Sequence, residues 1–124
     1  MNLPKMLKSF RYAGVGFTKL LRSENNFQFH ALAAVLVLVL SSLCNLARWE
    51  WLVVCISIAA VFTAEAFNTA IEKLCDLVSK ERLQEIEDIK DIAATGVLLT
   101  AVGALIVAFF VFGKRLLESE LFTL

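Results

Sequence analysis

The stretch IAATGVLLTAVGALIVAFFVFG, residues 92–113, runs for 22 positions without a charged side chain. A helix of about 20 apolar residues is long enough to cross the hydrocarbon core of a bilayer. Two more candidate spans, residues 29–46 and 51–77, precede it, although the second carries charged side chains in its C-terminal half, and 59% of the 124 residues are hydrophobic. That share exceeds the roughly 45–50% typical of soluble domains. We therefore predict an all-α integral membrane protein, a single domain over residues 1–124 with three spans.

The first 28 residues have a different pattern. Apolar side chains recur there at helical spacing among basic ones, which is typical of an amphipathic helix lying on a membrane surface. Nine Lys and Arg residues lie before the first span or between Lys73 and Lys90, against three at Arg48, Lys114 and Arg115. Because basic residues favour the cytoplasmic side, we predict that the N-terminus lies inside the cell and the C-terminus outside.

Charge and cysteine content exclude other classes of protein. The 12 basic and 12 acidic residues balance, which gives no case for nucleic-acid binding. The three cysteines, Cys44, Cys55 and Cys75, form no Cys-x-x-Cys pair and are interpreted as free thiols.

The middle span carries a polar stripe. Only 14 uncharged residues separate Glu50 from Glu65, so a helix that crosses the bilayer must continue past Glu65. Glu65, Asn68, Glu72 and Asp76 then fall within about 80° of one helix face. Because a carboxylate at the bilayer centre costs about 2.5–3.5 kcal/mol, a stripe of them favours a functional site.

Several acids at a cytoplasmic membrane edge need a cation, a shared proton or basic partners. Mg²⁺ is a suitable cation, since it commonly takes one or two carboxylates together with nucleotide phosphates. Glu24 precedes the first span, and Lys90 and Asp91 precede the third, so all three are predicted to join the stripe at one site. The sequence has no Walker or protein-kinase nucleotide motif.

The motif residues resemble those of a known family. The run Glu65-Ala-Phe-Asn-Thr-Ala-Ile-Glu72, followed by Asp76 and by Lys90-Asp91-Ile-Ala-Ala, is similar to the signature of the prokaryotic diacylglycerol kinases. That family includes the undecaprenol kinases of Gram-positive bacteria. The resemblance covers residues 5–113, because Ser9-Phe10, Ala13-Gly14, Glu24, Asn26 and His30 also fit in order and spacing.

The resemblance implies a homotrimer in the bacterial inner membrane, with composite sites that face the cytoplasm. It implies that ATP phosphorylates a lipid alcohol, by default diacylglycerol, and that undecaprenol or a sphingoid base is the alternative. Glu65 matches the catalytic base, and Glu24 and Glu72 match ligands of the Mg²⁺ bound to ATP. The positions matching ATP contacts are Lys5, Tyr12, Glu24, Asn68, Glu72, Glu81, Lys90 and Asp91. The positions matching lipid contacts are Asn26, His30, Trp51, Glu65 and Ala94.

Two features depart from the family pattern. Many relatives have arginine where this chain has Gln28, and the segment before Lys90 is acidic (Glu85, Glu87, Asp88) where relatives are usually basic. Both changes predict altered ATP binding. Two other functional classes stay open at this point: a transporter coupled to protons through Glu65, and a membrane scaffold without catalysis.

Overall fold

The computed structural model describes residues 1–118, which form four helices. They are α1 (Leu3–Ser23), α2 (Asn25–Leu43), α3 (Arg48–Val78) and α4 (Gln84–Glu118). The last three are long and apolar enough to cross a membrane. The prediction of one N-terminal helix followed by three spans is confirmed, and residues 119–124 of the predicted domain lie outside the described residues.

The N-terminal helix is shorter than the predicted surface helix over residues 1–28. It ends at Ser23, Glu24 is extended (φ −110°, ψ 110°), and α2 begins at Asn25. The Ser23 hydroxyl donates to the Lys19 carbonyl at 2.8 Å, and the Gln28 amide donates to the Leu21 carbonyl at 2.9 Å. The Gln28 bond ties the first turn of α2 back to the last turn of α1. The break therefore places Glu24 at a corner between α1 and α2.

The turn between α2 and α3 also shifts the predicted boundaries. Helix α2 ends at Leu43, three residues before the predicted end of the first span, and α3 begins at Arg48, three residues before the predicted start of the second. Asn45 adopts a positive φ of 50°, a conformation that asparagine tolerates better than most residues. The Glu50 carboxylate accepts from the Ala47 N–H at 2.8 Å and so satisfies one free donor at the start of α3.

The last helix begins at Gln84, eight residues before the predicted start of the third span. Glu85 and Glu87 lie in its first turn, where the positive end of the helix dipole favours acidic side chains. The acidic segment that departs from the family pattern is thus the exposed N-terminal turn of α4 and not a loop.

Aromatic packing joins α1 to the bundle. The Phe27 ring, 1% exposed, stacks on Phe62 of α3 at a centroid distance of 5.0 Å. Phe17 of α1 meets both rings edge-on, at 5.3 Å from Phe27 and 6.0 Å from Phe62. These three rings fix the surface helix next to the start of α2, and so fix the corner that carries Glu24.

The opposite end of the bundle has its own apolar cluster, formed by Leu46, Val54, Val111 and Phe112. Trp51 packs against this cluster. Beside it, Arg115 of α4 forms a two-pronged ion pair with Glu50 of α3, at 2.8 and 2.6 Å, and also donates to the Cys44 carbonyl at 3.2 Å. This pair ties the end of α4 to the turn between α2 and α3.

Candidate active site

A polar cavity of about 220 Å³ lies where the α1–α2 corner faces α3. We call it the acidic cavity, because three carboxylates contribute to its wall. It is lined by Ser23, Glu24, Asn25, Asn26, Glu65, Asn68, Thr69 and Glu72. The structure thus brings together five of the residues predicted for the site, namely Glu24, Asn26, Glu65, Asn68 and Glu72.

Glu65 is the deepest acid of this cavity and is only 2% exposed. Its Oε1 lies 3.2 Å from Nε2 of His30 on α2, an ion-pair distance without the alignment of a hydrogen bond. His30 also lines a second cavity, of about 100 Å³, whose wall is apolar and includes Ala34, Val61 and Phe62. Glu65 and His30 therefore stand at the boundary between a polar cavity and an apolar one.

Asn68, one turn along α3, is 7% exposed. Its Nδ2 donates to Oε1 of Glu72 at 3.1 Å, which orients the carboxamide. Its Oδ1 is buried and has no hydrogen-bond partner among the described residues. A buried acceptor without a partner costs stability, and at a functional site it indicates a position for a cation or a donor from a ligand.

Glu24 completes the cavity from the α1–α2 corner. Its Oε1 lies 3.1 Å from Oγ of Ser23 and 3.2 Å from Nζ of Lys73 on α3. The carboxylate is therefore already paired with a cation of the protein. That partner, Lys73, was not predicted from the sequence.

The side chains of the acidic cavity fit a hard divalent cation. Two partly exposed carboxylates, Glu24 and Glu72, and the unpartnered amide oxygen of Asn68 are oxygen donors of the kind that Mg²⁺ prefers. Within residues 1–118 no group of three or more His, Cys, Asp and Glu residues is arranged to hold a metal ion. Such a site suits an ion that brings further ligands with it, as Mg²⁺ does with nucleotide phosphates and water.

The predicted nucleotide residues on α4 lie outside the acidic cavity. Nζ of Lys90 donates to Oδ1 of Asp76 at 2.7 Å, so the lysine is held by the last acid of the α3 stripe. Asp91, one residue later, is exposed. The four residues of the polar stripe on α3 therefore have two different surroundings. Glu65, Asn68 and Glu72 line the acidic cavity, whereas Asp76 pairs with Lys90 and joins α3 to α4.

Other predicted contact residues are spread over the chain. Trp51 lies 14 residues before Glu65, about 21 Å along α3, within the apolar cluster at the opposite end. The remaining ones are exposed and do not line the acidic cavity: Lys5, Tyr12, Glu81 and Ala94. The described chain by itself does not bring these four to Glu65.

Sequence reasoning missed Thr69 and Lys73. Thr69 is buried in the cavity wall, and its position four residues after Glu65 is a helical spacing that could have identified it. Lys73 lies at the edge of the same face, but no pattern along the chain indicated that it would meet Glu24. That pairing depends on how the α1–α2 corner packs against α3.

Comparison with known proteins shows which family the chain belongs to. The family model described as prokaryotic diacylglycerol kinase matches residues 11–112. A protein of Bacillus subtilis named undecaprenol kinase is 38% identical over 115 residues, covering 93% of this chain and 94% of the relative. A protein of Synechocystis named diacylglycerol kinase is 36% identical over 105 residues, covering 84% of this chain and 60% of the relative. The chain therefore belongs to the prokaryotic diacylglycerol kinase family, and it is a lipid kinase.

Proposed function

We propose that this protein transfers the γ-phosphoryl group of ATP to the hydroxyl of a membrane lipid alcohol. One observation carries the proposal: the buried Glu65 lines a polar cavity with metal-type oxygen donors and lies 3.2 Å from His30, which lines an apolar cavity within the spans. A lipid kinase needs such a boundary, because its two substrates come from water and from the bilayer.

Glu65 acts as the general base in this proposal. Its carboxylate accepts the proton of the lipid hydroxyl as that oxygen forms a bond to the γ-phosphorus and the bond to the leaving ADP oxygen breaks. His30, whose Nε2 is 3.2 Å from Oε1 of Glu65, holds the carboxylate in place at the edge of the apolar cavity. Burial keeps water away from the base, which favours transfer to the lipid over hydrolysis of ATP.

Glu24 and Glu72 would hold the Mg²⁺ that accompanies ATP. When bound, this ion neutralises charge on the phosphates, which is the main requirement of phosphoryl transfer. Asn68 contributes its unpartnered Oδ1 and keeps the Glu72 carboxylate oriented. Lys90, held by Asp76, offers a cation for the nucleotide where α3 meets α4.

The names of the family and of its members favour two lipid acceptors, diacylglycerol and undecaprenol. The family description favours diacylglycerol, and the relative that matches over almost its whole length is named undecaprenol kinase. Both alcohols present a hydroxyl at the membrane surface and an apolar tail. We place the protein in the bacterial inner membrane with the acidic cavity towards the cytoplasm, as the balance of basic residues predicts.

A homotrimer accounts for the scattered contact residues. Lys5, Tyr12, Glu81 and Ala94 do not line the acidic cavity of their own chain. Large apolar side chains are exposed along all three spans, for example Leu36, Phe67 and Leu99. Some of these surfaces pack against neighbouring subunits in the proposed trimer, and a mass measurement of the protein in detergent tests this directly.

The test of the function offers the purified protein radiolabelled ATP and Mg²⁺ in mixed micelles with diacylglycerol, undecaprenol or a sphingoid base. Labelled lipid from one acceptor, with none when Mg²⁺ is chelated, is the expected result. No transfer to any of the three by folded protein contradicts the proposal. ATP-independent proton movement in vesicles would then support the transporter class, and its absence the scaffold class.

A further inference from the structure

Lys73 connects the acidic cavity to a neighbouring groove. The groove has a volume of about 570 Å³ and runs between α1 and α3, and its mostly apolar or small lining residues include two basic ones, Lys19 and Lys73. Ser23 and Thr69 line both the groove and the acidic cavity, so the two spaces adjoin. A polyanion that has its metal ion in the cavity thus finds positive charge directly beside it.

The Lys73 side chain is free to change its partner. It is 65% exposed, and its contact in the structure is the 3.2 Å ion pair with Glu24. An ion pair so exposed to solvent contributes little stability and is easily exchanged. Lysine also has a flexible stem and a compact ammonium with three donors, which suits it to phosphate oxygens.

The ion pair with Lys73 competes with a metal ion for Oε1 of Glu24. An ammonium 3.2 Å from Oε1 repels a divalent ion that approaches the same oxygen. Binding of a metal ion at Oε1 therefore favours a move of Lys73 away from Glu24. The phosphates that arrive with the ion provide a new partner for the ammonium.

The α1–α2 corner holds a neutral amide near Glu24. Nε2 of Gln28 donates a hydrogen bond to the Leu21 carbonyl. This neutral side chain holds the α1–α2 corner together and supplies no charge. The ammonium of Lys73, at the same corner, can supply it from α3.

We infer that Lys73 is a nucleotide-binding residue that exchanges partners. It pairs with Glu24 when the site is empty, and with a phosphate oxygen of the nucleotide when Glu24 ligates the metal ion. The inference rests on the proposed function, since it assumes that a metal–nucleotide complex enters this cavity. It predicts that replacing Lys73 by a neutral residue strengthens binding of the metal ion alone and weakens binding of the nucleotide.

The experiment measures binding rather than turnover, using the full-length chain in detergent micelles. Mn²⁺ alone is titrated by electron paramagnetic resonance, and a non-hydrolysable ATP analogue with saturating Mg²⁺ is titrated by calorimetry. The variants are Lys73→Met, Lys73→Arg and, as matched control, Lys80→Met, which alters an exposed lysine two residues beyond the end of α3.

For Lys73→Met we expect Mn²⁺ to bind about three- to tenfold more tightly and the nucleotide analogue about three- to tenfold more weakly. Lys73→Arg should bind the analogue as the wild type does, because it keeps the charge. Lys80→Met should match the wild type with both ligands.

Unchanged binding of both ligands to Lys73→Met would overturn the inference, and so would weaker binding of both, which indicates general damage to the site. If folded wild-type protein binds no nucleotide, the proposed function and the inference fail together. If the wild type phosphorylates a lipid while Lys73→Met binds both ligands normally, the inference alone fails.

Discussion

Replacing Phe27 tests whether aromatic packing holds the α1–α2 corner, which carries Glu24, in place. Phe27 is 1% exposed and contacts the rings of Phe17 and Phe62. Truncating a buried phenylalanine to alanine costs about 3–5 kcal/mol. The two ring pairs account for about 1–3 kcal/mol of this loss, at roughly 0.5–1.5 each. We expect Phe27→Ala to lower the free energy of unfolding by about 3–5 kcal/mol in all.

The same substitution should also impair nucleotide binding. Glu24 lies three residues before Phe27, so a loosened corner no longer holds this carboxylate against α3. Unfolding is followed by titration with a denaturing detergent in mixed micelles, and the KM for ATP is measured under conditions in which the variant stays folded. We expect the KM to rise more than kcat falls, because the base Glu65 is on α3 and stays in place.

The matched control for this prediction is Phe10→Ala, which removes a ring that is 74% exposed on α1. It should leave the free energy of unfolding nearly unchanged. The reasoning is refuted if the two variants are equally stable, or if Phe27→Ala loses stability while its KM for ATP does not change.

Two further predictions concern the ends of the bundle. Arg115→Met removes the partner of the buried Glu50 carboxylate, so the detergent concentration that unfolds the protein should fall, whereas Lys114→Met, which alters an 80% exposed side chain, should not change it. Equal midpoints for both variants would contradict a stabilising role of the pair. Glu72→Gln should raise the Mg²⁺ concentration needed for half-maximal activity or abolish activity, whereas Glu85→Gln should do neither. A normal Mg²⁺ dependence of Glu72→Gln would exclude it as a metal ligand.

Much of the fold follows from the hydropathy of the chain. The apolar runs at residues 29–46, 51–77 and 92–113 predicted three spans, and the described residues contain three helices able to cross a membrane. The boundaries were less predictable, because polar helix ends outside the apolar core carry no hydropathy signal. The start of α4 at Gln84, for example, depends on acidic residues that favour a helix N-terminus.

The candidate site was predictable where its residues share one helix face. Glu65, Asn68 and Glu72 recur at helical spacing, and all three line the acidic cavity. Asp76 has the same spacing, but its carboxylate pairs with Lys90 of α4 and does not line the cavity. That contact depends on where α4 packs, which the spacing along α3 does not predict. The pairing of Lys73 with Glu24 is a tertiary contact of the same kind, and no spacing pattern in the sequence predicts it.

The measurement that tests the central claim most directly is phosphoryl transfer by Glu65→Gln. The amide keeps the size of the side chain but cannot accept the proton of the lipid hydroxyl. With the wild type's preferred lipid, kcat should fall about 10²- to 10⁴-fold, while binding of the Mg²⁺–nucleotide analogue and helix content stay close to wild type. Turnover within a few-fold of the wild type would contradict the assignment of Glu65 as the base of a lipid kinase.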